Sequence, residues 1–211
     1  MEILFEVKNS TGVITLSRPK ALNALNLNMA IQLSKKLKEW EDDNAVERVI
    51  LLGEGNHFCA GGDVKSVHLS GPFSELKREF FSKEYSLNLQ IKNFTKPYLS
   101  IWKGVVMGGG VGLSIYGDYR IATDSTKFAM PETSIGFFPD VGASFFLSRM
   151  ENNIGKYLGL TGELIQCKDL LNFGLATHYC REDKLEILIN QYILPDEFVF
   201  TSQLTRSVPK E

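Results

Sequence analysis

Three short segments hold residues whose types and spacing suit chemistry on a carbonyl group. Met107-Gly108-Gly109-Gly110-Val111-Gly112 is backbone with almost no side chain, and it enters an apolar stretch (Val111, Leu113, Ile115) that reads as a short helix. Such a run leaves amide N–H groups bare at a helix start, where negative charge is favoured. Phe58-Cys59-Ala60-Gly61-Gly62-Asp63 again ends a strand in small residues, so the two loops can each offer one N–H to a single oxyanion. That geometry suits an acyl thioester, whose enolate or tetrahedral intermediate gathers charge on one oxygen. Between Pro131 and Gly142, Glu132 and Asp140 place two carboxylates in an otherwise apolar, Pro- and Gly-punctuated turn. Hydrolysis needs a nucleophile or base and a second group to orient it.

Each feature also has a plain structural explanation. The glycine run fails the dinucleotide pattern, because Leu113 stands where the third Gly is needed, and Leu113-Ser114 fails the phosphate-loop pattern. It can be simple helix–sheet packing. Asp140, between Pro139 and Val141-Gly142-Ala143, makes a good helix N-cap, and Glu132 after a proline can be a solvated turn residue. Glu84 falls on the apolar stripe of Leu76, Phe80, Leu87 and Ile91, so either it reaches water at the stripe's edge or it is a buried acid in need of a partner or a purpose. The three histidines (His57, His68, His178) are scattered, with no nucleophile–histidine pairing legible, and read as core or surface residues.

The elements that position these residues alternate. Strand-like runs recur at Ile3–Val7, Val13–Leu16, Arg48–Leu52, Tyr98–Ile101, Arg120–Thr123 and Lys127–Ala129. Helical periodicity marks Asn28–Glu41 (Ala30, Leu33, Leu37, Trp40 on one face) and Glu75–Asn93. After residue 140 the pattern turns mainly helical, with Gly155–Leu160, Lys168–Asn172 and Asp183–Ile193 as candidates. This predicts an α/β core over residues 1–150, a helical region over 151–194 continuing the same domain, and an irregular, polar tail over 195–211. No sharp internal repeat is visible.

The 211 residues suit one domain with a sizeable core. With 23 Lys+Arg against 25 Asp+Glu, the balance gives no general electrostatic reason to expect nucleic acid or an anionic membrane as partner. No apolar run approaches a membrane span, and Met1 leads almost at once into a strand, with no presequence visible. Cys59, Cys167 and Cys180 lack metal-ligand spacing and read as reduced thiols of a soluble intracellular protein.

At these residues the chain resembles the crotonase (enoyl-CoA hydratase/isomerase) superfamily and, within it, the 3-hydroxyisobutyryl-CoA hydrolases. The similarity runs from Ile3 to about Ile193. It is carried by Ser17-Arg18-Pro19-Lys20-Ala21-Leu22-Asn23-Ala24-Leu25, Phe58–Asp63, Lys96-Pro97, Met107–Gly112 and Phe128–Gly142. The resemblance implies a spiral of ββα units with a short helical C-terminal region, binding a bent acyl-CoA. Gly62 and Gly109 match the family's oxyanion hole, Ala21, Ala24 and Leu25 the main chain that meets the adenine, and Glu132 the shared catalytic acid.

Gly112 stands where hydratases carry their other catalytic Glu, which disfavours hydration. Asp140 matches an Asp of the hydroxyacyl-CoA hydrolases, and Glu84 a substrate-contacting Glu of theirs. The expected activity is therefore hydrolysis of a small 3-hydroxyacyl-CoA in valine catabolism, needing no metal or redox cofactor because CoA is part of the substrate. A hydratase or isomerase with a relocated acid, or a catalytically weak acyl-CoA-binding form, are the alternatives. The resemblance further implies possible homo-oligomers, a mitochondrial setting, and additional helices in the longer relatives beyond the point where this chain stops.

Overall fold

A computed structural model describes residues 1–193 and Thr205. The tail expected over 195–211 lies, apart from Thr205, outside the described residues. The elements, in order, are β1 (Ile3–Lys8), β2 (Thr11–Leu16), α1 (Leu27–Asp42), β3 (Arg48–Gly53), α2 (Val64–Leu69), α3 (Glu75–Lys92), β4 (Tyr98–Trp102), β5 (Val105–Met107), α4 (Gly109–Gly112), β6 (Tyr119–Ala122), β7 (Lys127–Ala129), α5 (Ala143–Leu147), α6 (Ile154–Thr161), β8 (Ile165–Gln166), α7 (Cys167–Asn172), β9 (His178–Tyr179) and α8 (Leu185–Ile193).

One sheet runs β1-β2-β3-β4-β6-β9, parallel except for the β1–β2 hairpin, and a second runs β5-β7-β8. Single bridges extend the second sheet: Leu25 pairs with Gly62, and Cys59 with Val106. The chain therefore repeats one path four times: a strand in the first sheet, a shorter extended piece in the second, then helix. β2 leads to Leu25 and α1; β3 to Cys59–Gly62 and the α2–α3 pair; β4 to β5 and α4; β6 to β7 and the turn before α5. This is the expected spiral of ββα units. Its repeat is invisible in the sequence because each unit meets a different neighbour and keeps only the polar–apolar rhythm in common.

Local chemistry explains the main elements. The Asn26 side chain accepts from the Met29 N–H at 2.9 Å and starts α1. That helix buries Met29, Ala30, Leu33, Leu37 and Trp40. Lys96 donates to the carbonyls of Trp40 and Asp43, satisfying the C-terminal end of α1. Ser74 caps α3 through the Leu76 N–H. α1 and α3 are tied by Ser34 and Gln90, with Ser34 Oγ donating to Gln90 Oε1 at 2.6 Å and Gln90 Nε2 returning to the Ser34 carbonyl at 3.0 Å. β4 is buried along its whole length, as a central parallel strand covered on both faces must be.

Beside its helices, the 151–193 region carries two short strands: β8 joins β7 and β9 joins β6, so this region completes both sheets. Strands of two residues are too short to show an alternation. Tyr179 also exchanges backbone hydrogen bonds with Thr205, at 2.8 and 3.1 Å.

Candidate active site

Three successive turns of the spiral end side by side, and there the second sheet delivers Gly62, Gly109 and Glu132. Each glycine follows another at positive φ, Gly61 at +113° and Gly108 at +47°, so both approach turns require glycine. Among the described residues, neither the Gly62 nor the Gly109 N–H donates to a protein acceptor; Gly109 is the first residue of α4, where helix amides have no internal partner. A Cβ placed on Gly109 would stand 2.3 Å from Glu84 Oε1 and 2.9 Å from the Gly62 nitrogen, and one on Gly108 would stand 2.7 Å from Glu132 Oε1. The two bare amides and two of the acids thus converge on one point.

The acids are sequestered. Glu84 is 2% exposed and Glu132 8%, and Glu84 Oε1 and Glu132 Oε2 are buried without a hydrogen-bond partner. This removes the solvated-turn reading of Glu132 and the edge-of-stripe reading of Glu84. Asp140 is not the helix cap either: α5 begins after Gly142 without a side-chain cap, and Asp140 Oδ2 instead accepts the Tyr85 hydroxyl at 2.7 Å. The Asp140 backbone carbonyl, not its carboxylate, takes the Ala143 N–H.

Among the described residues none of the three acids is ion-paired, so burial and mutual repulsion decide their protonation. Burial, then the Asp140 and Glu132 charges, push Glu84 up to about 8. Burial, with Asp140 nearby, pushes Glu132 up to about 7 against an opposing backbone hydrogen bond. Burial also raises Asp140, while the Tyr85 bond pulls it back. The Tyr85 hydroxyl is itself raised, by burial and by the bond to Asp140.

A cavity of about 410 Å³ opens over Gly62, Gly109, Glu84, Glu132 and Asp140, walled by Phe80, Phe81 and Phe137, with His68 and Lys77 also lining it. Phe81 and Phe137 stack at 5.6 Å. The Ala21–Leu25 segment is joined to its floor: Leu25 N–H bonds the Gly61 carbonyl, Ala60 N–H the Leu22 carbonyl, and Asp63 N–H the Leu25 carbonyl, at 2.8, 3.0 and 2.7 Å. Arg18 locks this junction through Asp63 at 3.0 Å and the Ala24 carbonyl at 2.7 Å. Leu25 itself points into the core, while Ala21 and Ala24 stay half-buried.

Sequence reasoning missed Tyr85, which lies off the apolar stripe and gives no signal. It also missed Asn88, one turn beyond Glu84 on the stripe, whose position could have raised the same question as Glu84. Gly112 has no room for a side chain, because its Cβ would lie 2.7 Å from Val141 Cβ and 2.8 Å from Asn88 Nδ2. His57 serves the scaffold, with Nδ1 accepting the Val105 N–H at 3.2 Å. All three cysteines are buried and free.

Among the described residues, no helix is long and apolar enough to cross a membrane, and no group of three or more His, Cys, Asp or Glu side chains is placed to hold a metal ion. The chain is 47% identical over 189 residues to a mitochondrial 3-hydroxyisobutyryl-CoA hydrolase of Danio rerio, covering 89% of this chain and 50% of that one. With the mitochondrial enzyme of that name from Homo sapiens it shares 46% over 189 residues, covering 89% and 49%. It spans about half the length of these curated relatives.

Among solved structures, a carnitinyl-CoA dehydratase from Mycobacterium thermoresistibile superposes with a TM-score of 0.88 at 41% identity, covering 91% of this chain and 57% of that one. An enoyl-CoA hydratase from Rhodobacter sphaeroides also gives 0.88, at 37% identity and 94% and 61% coverage. The family model described as enoyl-CoA hydratase/isomerase matches residues 11–200, and the chain belongs to that crotonase family.

Proposed function

We propose that this site hydrolyses the thioester of a small 3-hydroxyacyl-CoA, of the 3-hydroxyisobutyryl-CoA type, to the free acid and CoA. The observation that carries this reading is the convergence of two bare amides with Glu84, Glu132 and Asp140, combined with a closed position at Gly112. The Gly62 and Gly109 N–H groups receive the thioester oxygen as it becomes an oxyanion, and a donor of this kind is worth about 3–4 kcal/mol of transition-state stabilisation.

Glu132, once ionised, either attacks the carbonyl carbon or takes a proton from the attacking water; both routes expel the CoA thiolate, and both end with one water consumed. Asp140, fixed by Tyr85, orients the nucleophile or holds the 3-hydroxyl. Glu84 keeps its proton at neutral pH beside Gly109, where it can donate to the reacting ester. No metal or redox group is called for, CoA being part of the substrate, and the Ala21–Ala24 main chain faces its adenine.

The names of the hydrolase relatives support the same substrate and a mitochondrial setting; a place in valine breakdown is what the family resemblance implies. The names of the solved neighbours favour a hydratase or dehydratase as the second reading. The packing of Val141 and Asn88 against Gly112 weighs against it, since the second acid of hydration has nowhere to stand. A catalytically weak acyl-CoA binder is the remaining alternative. Glu132→Gln separates the readings: hydrolysis by this site requires CoA release to fall at least about a thousandfold while the CoA ester still binds. Undiminished release in that variant would remove Glu132 from the mechanism.

A further inference from the structure

α3 and α4 meet through glycine backbone, with two rungs of polar side chains laid across the seam. Glu84 stands over Gly109, its Oε1 2.3 Å from where a Cβ would be, and Asn88 over Gly112, its Nδ2 2.8 Å from the equivalent point. The rungs are four residues apart on α3 and three apart on α4, so they lie side by side, with the Glu84 and Asn88 Cβ atoms about 5–6 Å apart.

Asn88 is only 4% exposed, and both of its amide atoms, like Glu84 Oε1, are buried without a hydrogen-bond partner among the described residues. A buried amide left without a partner is destabilising, so a side chain kept there for packing alone is a poor choice. The sequence spends an Asn where the Leu76–Phe80–Leu87–Ile91 stripe would accept Leu.

We propose that Asn88 is a positioning residue of the acid site, holding an ordered water that it shares with Glu84. Neighbouring side chains one helix turn apart can share one water between their polar ends, each bond being about 2.8 Å. Gly109 and Gly112 put no side chain at the seam to compete for it. The water accepts from Asn88 Nδ2 and is bonded to the Glu84 carboxyl, which gives it the two to four polar partners a buried water needs. Asn88 thereby fixes the rotamer of Glu84 beside Gly109 without touching the substrate.

The kinetic arm of the test rests on the hydrolase reading; the crystallographic arm does not. Asn88→Leu, which keeps the γ-branched shape and removes the amide, should lower kcat at least about tenfold with KM changed less than threefold, while Tm holds or rises. Asn88→Ser keeps a hydroxyl able to hold the water but leaves a gap. It should be less stable than Asn88→Leu and yet more active, an order that packing alone would reverse. Equal activity of wild type and Asn88→Leu, or Ser less active than Leu, overturns the proposal. Independently of turnover, a crystal structure at about 1.5 Å should show a water within 3.2 Å of both Glu84 and Asn88; a dry seam overturns it even if hydrolysis is confirmed.

Discussion

At the residue scale the site is governed by protonation. Glu132 and Glu84 are held near 7 and 8, well above their ordinary 4.5, because burial outweighs everything else acting on them. The proposed chemistry needs Glu132 ionised and Glu84 protonated. The rate of thioester hydrolysis should therefore rise through about pH 7 and fall above about pH 8, as macroscopic steps of the coupled pair. A flat profile from pH 5 to 9 would contradict these roles. Gly109→Ala brings a Cβ to within 2.3 Å of Glu84 Oε1. It should cut kcat by about a hundredfold or more by pushing the Glu84 carboxyl and the Gly62 amide out of place around the oxyanion, and a rate within threefold of wild type would show that this close packing is not needed for the reaction.

The element scale explains what was legible in the chain and what was not. Long amphipathic helices announce themselves: α1 and α3 fall within two residues of their periodic patterns. The glycine turns were also legible, since only Gly tolerates the positive φ of Gly61 and Gly108. β5, β8 and β9 were not, being two or three residues long and stabilised by neighbours in the second dimension rather than by pattern. Glu84, Glu132 and Asp140 could be named as acids, but their burial, and Tyr85 as the partner of Asp140, depend on which turns of the spiral lie side by side.

Val141 shows the same limit. A buried β-branched residue at φ +44° is a backbone strain that no local pattern foretells, and it is held by packing on Gly112. Gly112→Ala should consequently cost about 1–3 kcal/mol of stability, read as a lower urea midpoint with unchanged m. An unchanged midpoint would mean that the α4 seam is not close-packed.

For the whole molecule, the acid cluster is a stability liability carried for function. The folded chain retains protons on Glu84 and Glu132 that the unfolded chain sheds above 4.5, so these two groups make stability fall as pH rises from about 4.5 to about 8. Glu84→Gln removes one of them. The variant should melt at least about 3 °C higher than wild type at pH 8, with the difference shrinking toward pH 5. A difference independent of pH would show that Glu84 is not held protonated by the fold. At this scale the proposal places the groups of the reaction within about 190 residues that match about half the length of the hydrolase relatives.

That claim is tested most directly by incubating the 211-residue chain with 3-hydroxyisobutyryl-CoA and following free thiol, with crotonyl-CoA hydration measured in parallel. Thiol release that Glu132→Gln abolishes is expected, with hydration at least about a hundredfold slower. Hydration without thiol release, or binding of the CoA ester with neither reaction, would contradict it.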